Sequence, residues 1–99
     1  MTDDAKQPEI RILKVSGGTD CQKLASSIAG DVERGQEPVV EYIGAGACNQ
    51  AVKAIAIANS HLAKTGVYLS FIPMFQRRKL KGNDNAVAMQ LRAKIHSIA

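Results

Sequence analysis

Val39-Val40-Glu41-Tyr42-Ile43-Gly44-Ala45-Gly46-Ala47-Cys48-Asn49-Gln50-Ala51-Val52-Lys53-Ala54-Ile55-Ala56-Ile57-Ala58 is the stretch whose reading decides the fold. Its β-branched and aromatic start, released by Pro38, predicts a strand over 39–43. Gly44-Ala45-Gly46 then makes a tight turn, because glycine reaches backbone conformations that a side chain forbids. From Ala47 to about Lys64 small and aliphatic residues dominate, and the polar ones gather mostly at the two ends. That pattern predicts a helix apolar on more than one side, so one face covers a sheet and another meets a second helix or another subunit. Gly66 ends it.

Working outward, Glu9–Ser16 alternates and then runs apolar, which predicts a strand. Gly17-Gly18 breaks it, and Thr19 or Asp20 offers a helix N-cap. Leu24, Ala25, Ile28, Ala29 and Val32 recur at helical spacing up to Gly35, a residue suited to the left-handed C′ position. Gly30 inside that helix points to close packing there. Downstream, Val67–Ile72 reads as a strand, and Pro73, which has no amide to donate, makes it an edge or a bulged strand. A basic stretch from Gln76 to Asn85, with Gly82-Asn83-Asp84 as its turn, leads to a last strand. There Val87, Met89, Leu91, Ala93 and Ile95 form the expected core face, and Gln90, Arg92, Lys94 and His96 the wet one.

The order βαβαββ predicts an α/β two-layer (α+β) sandwich, a four-stranded sheet with two helices on one face. Residues 1–8 are read as a flexible N-terminal tail and 9–99 as a single domain, a size ordinary for one hydrophobic core. With 45% apolar and 22% charged residues, the chain has the composition of a globular protein and not of a disordered one. No apolar run approaches a transmembrane span. The acidic, polar start is no secretory signal. These features predict a soluble cytoplasmic protein without membrane contact, nucleoid-associated if its partner is DNA.

Charge is uneven along the chain. Residues 1–75 carry seven Lys/Arg against eight Asp/Glu, whereas residues 76–99 carry six against one. Such asymmetry is the usual footprint of a polyanion site. Arg77, Arg78, Lys79 and Lys81 place four cations in five positions on the hairpin tip, where they can bind nucleic acid, meet an acidic protein or stay solvated. Four aromatic residues, Tyr42, Tyr68, Phe71 and Phe75, are read mostly as core, which argues against stacking on unpaired bases as the main mode.

Gly44-Ala45-Gly46 opens a helix whose free amides favour anions, so it reads either as a plain junction or as a phosphate contact. As a dinucleotide fingerprint it fails, since Asn49 stands where a third glycine belongs. Asn49 and Lys53, four apart, share a helix face. Cys21 and Cys48 form no framework and no zinc-ligand spacing, and they read as small, partly buried residues. His61 and His96 have no nucleophile or paired carboxylates placed near them by sequence. The chain is therefore expected to be no enzyme and to hold no cofactor or metal.

Ile12-Leu13-Lys14-Val15-Ser16, the segment Ile43–Ala58, and Ile72-Pro73 with Phe75 closely resemble the stage V sporulation protein S family over residues 10 to about 96. More distantly, the chain is similar to the Alba chromatin proteins of archaea. The resemblance implies an Alba-like fold, homodimers or higher homo-oligomers, and a nucleic-acid-binding regulator of bacterial development. It also implies contacts from the loop after the first strand (Lys14, Ser16, Gly17), from the turn before the second helix (Gly46, Asn49, Gln50, Lys53), and from the hairpin (Arg77, Arg78, Lys79, Lys81). Two departures stand out: the first loop lacks the paired lysines of Alba proteins, and the hairpin is more basic than the sporulation family leads one to expect. No helix presents Arg, Asn and Gln at groove spacing, so little sequence preference is expected. The alternative is a protein-interaction or assembly module built on the apolar second helix and a strand edge.

Overall fold

The structure, a computed structural model, describes residues 11–80 and 83–98. Its elements follow the expected order: β1 (Ile12–Val15), α1 (Cys21–Glu33), β2 (Val39–Tyr42), α2 (Ala45–Leu62), a 3-10 turn over Ala63–Thr65, β3 (Val67–Leu80) and β4 (Asn83–Ser97). The strands form one mixed sheet in the order β1-β2-β4-β3. β1 and β2 are parallel, and β4 runs antiparallel to both of its neighbours.

Local chemistry sets the helix ends. The Asp20 carboxylate accepts from the amides of Gln22 and Lys23 at 2.9 and 3.1 Å, which caps α1. At its other end Gly35 takes φ 77°. The Gly35 amide donates to the Val32 carbonyl and the Gln36 amide to the Asp31 carbonyl, a Schellman pair. α2 starts two residues earlier than expected. Ala45 and Gly46 already belong to its first turn, and Gly44 alone makes the junction, at φ 91° and ψ 162°. Gly66, at φ 76°, ends the 3-10 turn.

The core lies between the helix pair and one sheet face. Leu24, Ala25 and Ile28 of α1 and Ala51, Ala54, Ala58 and Leu62 of α2 bury against Leu13, Val15, Val40, Leu69 and Ala93. The alanine row lets α2 settle closely against its neighbours. Below it, Asp31 is almost wholly buried and receives the Arg11 guanidinium at 2.8 Å and that of Arg34. The close packing expected at Gly30 is not found: a methyl group there would meet only the Arg34 guanidinium, at 3.4 Å.

The third and fourth strands depart most from expectation. The basic stretch is not a loop, since β3 runs on to Leu80 and β4 begins at Asn83, with a register shift between Arg78 and Leu80. Cross-strand pairing carries polar residues that would not form a strand alone. Of the expected turn, Asn83 and Asp84 lie in β4, and Gly82 falls outside the described residues. Pro73 pairs opposite Leu91 on the edge strand β3, so it sits at an edge and not at a bulge.

The assignment of β4 faces also needs correction. Val87 is 44% exposed and Gln90 is buried. Val87 lies past the last residue of β4 that pairs with β2. Gln90 sits opposite Glu41 in the middle of the sheet, donates to its carboxylate at 2.9 Å, and accepts twice from Arg92. Polar groups buried this way satisfy one another. The expected tail, residues 1–8, lies outside the described residues, as do Glu9 and Ile10 of the expected first strand. No helix among the described residues is long and apolar enough to cross a membrane.

Candidate nucleic-acid interface

β2 pairs with β4 only over Met89–Arg92, with Tyr42 opposite Met89. Past that point, among the described residues, 76–78 of β3 and 86–88 of β4 pair only with each other, as a two-stranded arm. The arm thus leaves the sheet at the end where β1 and β2 terminate and where α1 and α2 begin. The Ser16–Asp20 loop, the first turns of α2 and the arm all share that end.

The loop and the α2 start are tied together. Gly17 and Gly46 approach so that a methyl group added to Gly46 would lie 3.8 Å from the Gly17 Cα. The Gln50 side-chain amide donates to the Thr19 carbonyl at 2.9 Å, and the Cys21 thiol donates to the Gln50 carbonyl at 3.6 Å. Within the loop, the Thr19 hydroxyl accepts from the Ser16 amide at 2.8 Å, and the Ser16 hydroxyl accepts from the Gly18 amide at 3.3 Å. Gly44 brings no side chain to cap α2, so the first amides of that helix face outward at its positive end.

Of the residues the sequence singled out, Ser16, Gly17, Gly46, Asn49 and Lys53 are exposed in this cluster. Gln50 is half-buried and its amide is occupied with Thr19, which makes it a brace between loop and helix. Lys14 is exposed on β1 and, opposite Glu41 in register, faces away from the helices. Arg77 is exposed on β3, and Arg78 and Lys79 follow it on the same strand. Lys81 lies outside the described residues.

Two aromatic residues read as core are not core. Phe75 is 77% exposed on β3, at the base of the arm. Tyr68 is also exposed and stacks on His96, with ring centroids 4.7 Å apart and planes at 18°. The His96 Nε2 lies 2.7 Å from the Ser70 hydroxyl. Strand parity puts Phe75 on the same face as Phe71, which packs against the core, so alternation alone reads it as buried. What parity does not say is where the helix layer stops.

Both cysteines are free and half-buried. A hydrogen bond with the Cys48 side chain, followed by burial, raises the Tyr42 phenol above its ordinary value of 10.0. Among the described residues no three His, Cys, Asp or Glu side chains gather as a metal site.

A family model described as "Stage V sporulation protein S (SpoVS)" matches residues 11–96.

Proposed function

The chain belongs to the stage V sporulation protein S family, and from that membership together with the basic arm we propose that it is a nucleic-acid-binding regulator that acts without catalysis or cofactor. The observation that carries this reading is the arm itself. A paired ribbon with Arg77, Arg78 and Lys79 in sequence projects from the same end as the uncapped start of α2. Cations on the ribbon would neutralise phosphates, and the α2 amides would accept one more at the helix end. Both interactions read the backbone, so affinity would depend strongly on salt and weakly on sequence. Lys14, Ser16, Gly17, Gly46, Asn49 and Lys53 would extend the contact, with Gln50 as the brace, and Lys81 would add to the hairpin.

The test is binding of labelled duplex DNA, single-stranded DNA and RNA across a salt series, wild type beside Arg77→Ala/Arg78→Ala/Lys79→Ala. If all three cations meet phosphates, the salt slope on duplex DNA falls by about 3 in the triple variant, near 0.9 for each contact. Absence of binding even at about 50 mM salt would sink the reading.

A second reading is favoured by exposed apolar residues of β3 and β4. Ile72, Met74, Phe75 and Val87 are each exposed by more than two fifths. They alternate between the two faces of the β3–β4 pair, and exposed apolar side chains suit a protein interface, so the chain would work as a homodimer or higher homo-oligomer, and as an assembly module if nucleic acid does not bind.

A further inference from the structure

The sheet has two edges, and they are guarded differently. On the β3 edge the Asn59 side chain holds both backbone groups of Leu69, accepting from its amide at 2.8 Å and donating to its carbonyl at 3.2 Å. Pro73 further along has no amide to offer. The β1 edge has no such guard. β1 pairs with β2 on one side, and among the described residues no side chain or other strand bonds the outward groups of Ile12–Val15. A four-residue strand paired on one side leaves roughly two N–H and two C=O groups facing out.

A groove of about 420 Å³ runs along this edge, lined on one side by Ile12, Leu13 and Lys14 and on the other by Lys23, Leu24 and Ser27 of α1. Its charge is positive in effect. Lys14 and Lys23 make no ion pair among the described residues. The nearby Asp20 carboxylate is engaged by the α1 amides, whereas Arg11, though bound to Asp31, keeps about half its side chain exposed.

We infer that this groove is a docking site for an extended acidic segment of a partner protein, which adds a fifth strand beside β1. An open edge between a strand and a helix is the geometry of strand addition, in which main-chain hydrogen bonds supply affinity and the walls select side chains. The charges choose the occupant. A second copy pairing edge to edge would bring Lys14 and Lys23 of one chain toward those of the other. Nucleic acid offers the edge phosphate acceptors but few donors for its carbonyls. An acidic strand meets both needs, with its backbone on β1 and carboxylates on both of its faces, toward Lys23 on the helix side and toward Lys14 on the other. This site is separate from the arm and does not depend on nucleic-acid binding.

The test uses the ¹⁵N-labelled full chain and the peptide Ac-Glu-Thr-Val-Glu-Val-Glu-NH₂, followed by amide chemical shifts. Binding should move the resonances of Ile12–Val15 and Lys23–Ser27. The same peptide N-methylated at alternate residues, which removes donors without touching the protein, should bind at least about tenfold more weakly, and so should the unmodified peptide to Lys23→Glu. Three results would overturn the inference: equal binding of the N-methylated peptide, shifts confined to Gln76–Arg78 and lost in the triple arm variant, or β1 shifts produced by a short DNA duplex but not by the peptide.

Discussion

Gly44 and Gly30 are both glycines beside or within helices, and the structure asks opposite things of them. Gly44 holds φ 91° and ψ 162°, a region closed to side chains. Gly44→Ala should therefore cost about 1–3 kcal/mol, read as a lower denaturant midpoint. Gly30 is ordinary helix, and a methyl there would be in ordinary van der Waals contact with the Arg34 guanidinium, at 3.4 Å. Gly30→Ala should stabilise by about 0.5–1 kcal/mol in the same measurement. Tyr42 gives a residue-scale prediction in pH. Its phenol is raised by the Cys48 side chain, so the folded state favours the protonated form. That stability is fully present below pH 10 and is lost as pH rises through the higher folded value. In Cys48→Ala, the Tyr42 ring resonances should titrate at lower pH than in wild type. An unchanged midpoint would show that the thiol is not the cause.

Among the elements, the edge strand β3 is the most exposed to loss. Its anchor to the helix layer is Asn59, whose amide takes the place a neighbouring strand residue would fill at Leu69. Asn59→Ala leaves two backbone groups of a buried residue without that partner and should cost about 2–3 kcal/mol. Hydrogen exchange should locate the loss, with Leu69 and its neighbours losing protection before β2 does. Equal loss of protection across the sheet would mean that Asn59 merely contributes to the core. The α1 C-terminus is held differently. Arg11 and Arg34 converge on the buried Asp31, which ties the start of β1 to the end of α1.

Across the whole molecule, the dimensions of 47 × 41 × 20 Å express a thin two-layer body with an arm beyond it. The β3–β4 pair carries exposed apolar residues and, toward its tip, basic ones, and the two make separable predictions. Ile72→Glu/Phe75→Glu alters exposed positions outside the buried core, so unfolding by denaturant should change by less than about 1 kcal/mol. If the apolar surface joins chains, the same variant should shift the sedimentation-equilibrium mass toward the monomer. A wild type that is monomeric throughout the concentration range would remove the assembly reading.

Much of this was legible in the residues themselves. Asp20, Gly35, Gly44 and Gly66 mark helix ends by chemistry that acts within a few residues, and the segment Ile43–Ala58 carries the family resemblance. The alternation and the cations of the last quarter likewise announced a basic hairpin. What needed the tertiary structure was anything that depends on where one layer stops over another. Phe75 and Val87 have the pattern of core residues and are exposed, because they lie at and beyond the last pairing of β4 with β2. Gln90 has the pattern of a wet residue and is buried, because Glu41, 49 residues away in the chain, meets it from the neighbouring strand. The difference between the two sheet edges is of the same kind. Strand order decides which backbone groups lack a partner, and it arises from pairings between residues far apart in the chain, to which local propensity and periodicity are blind.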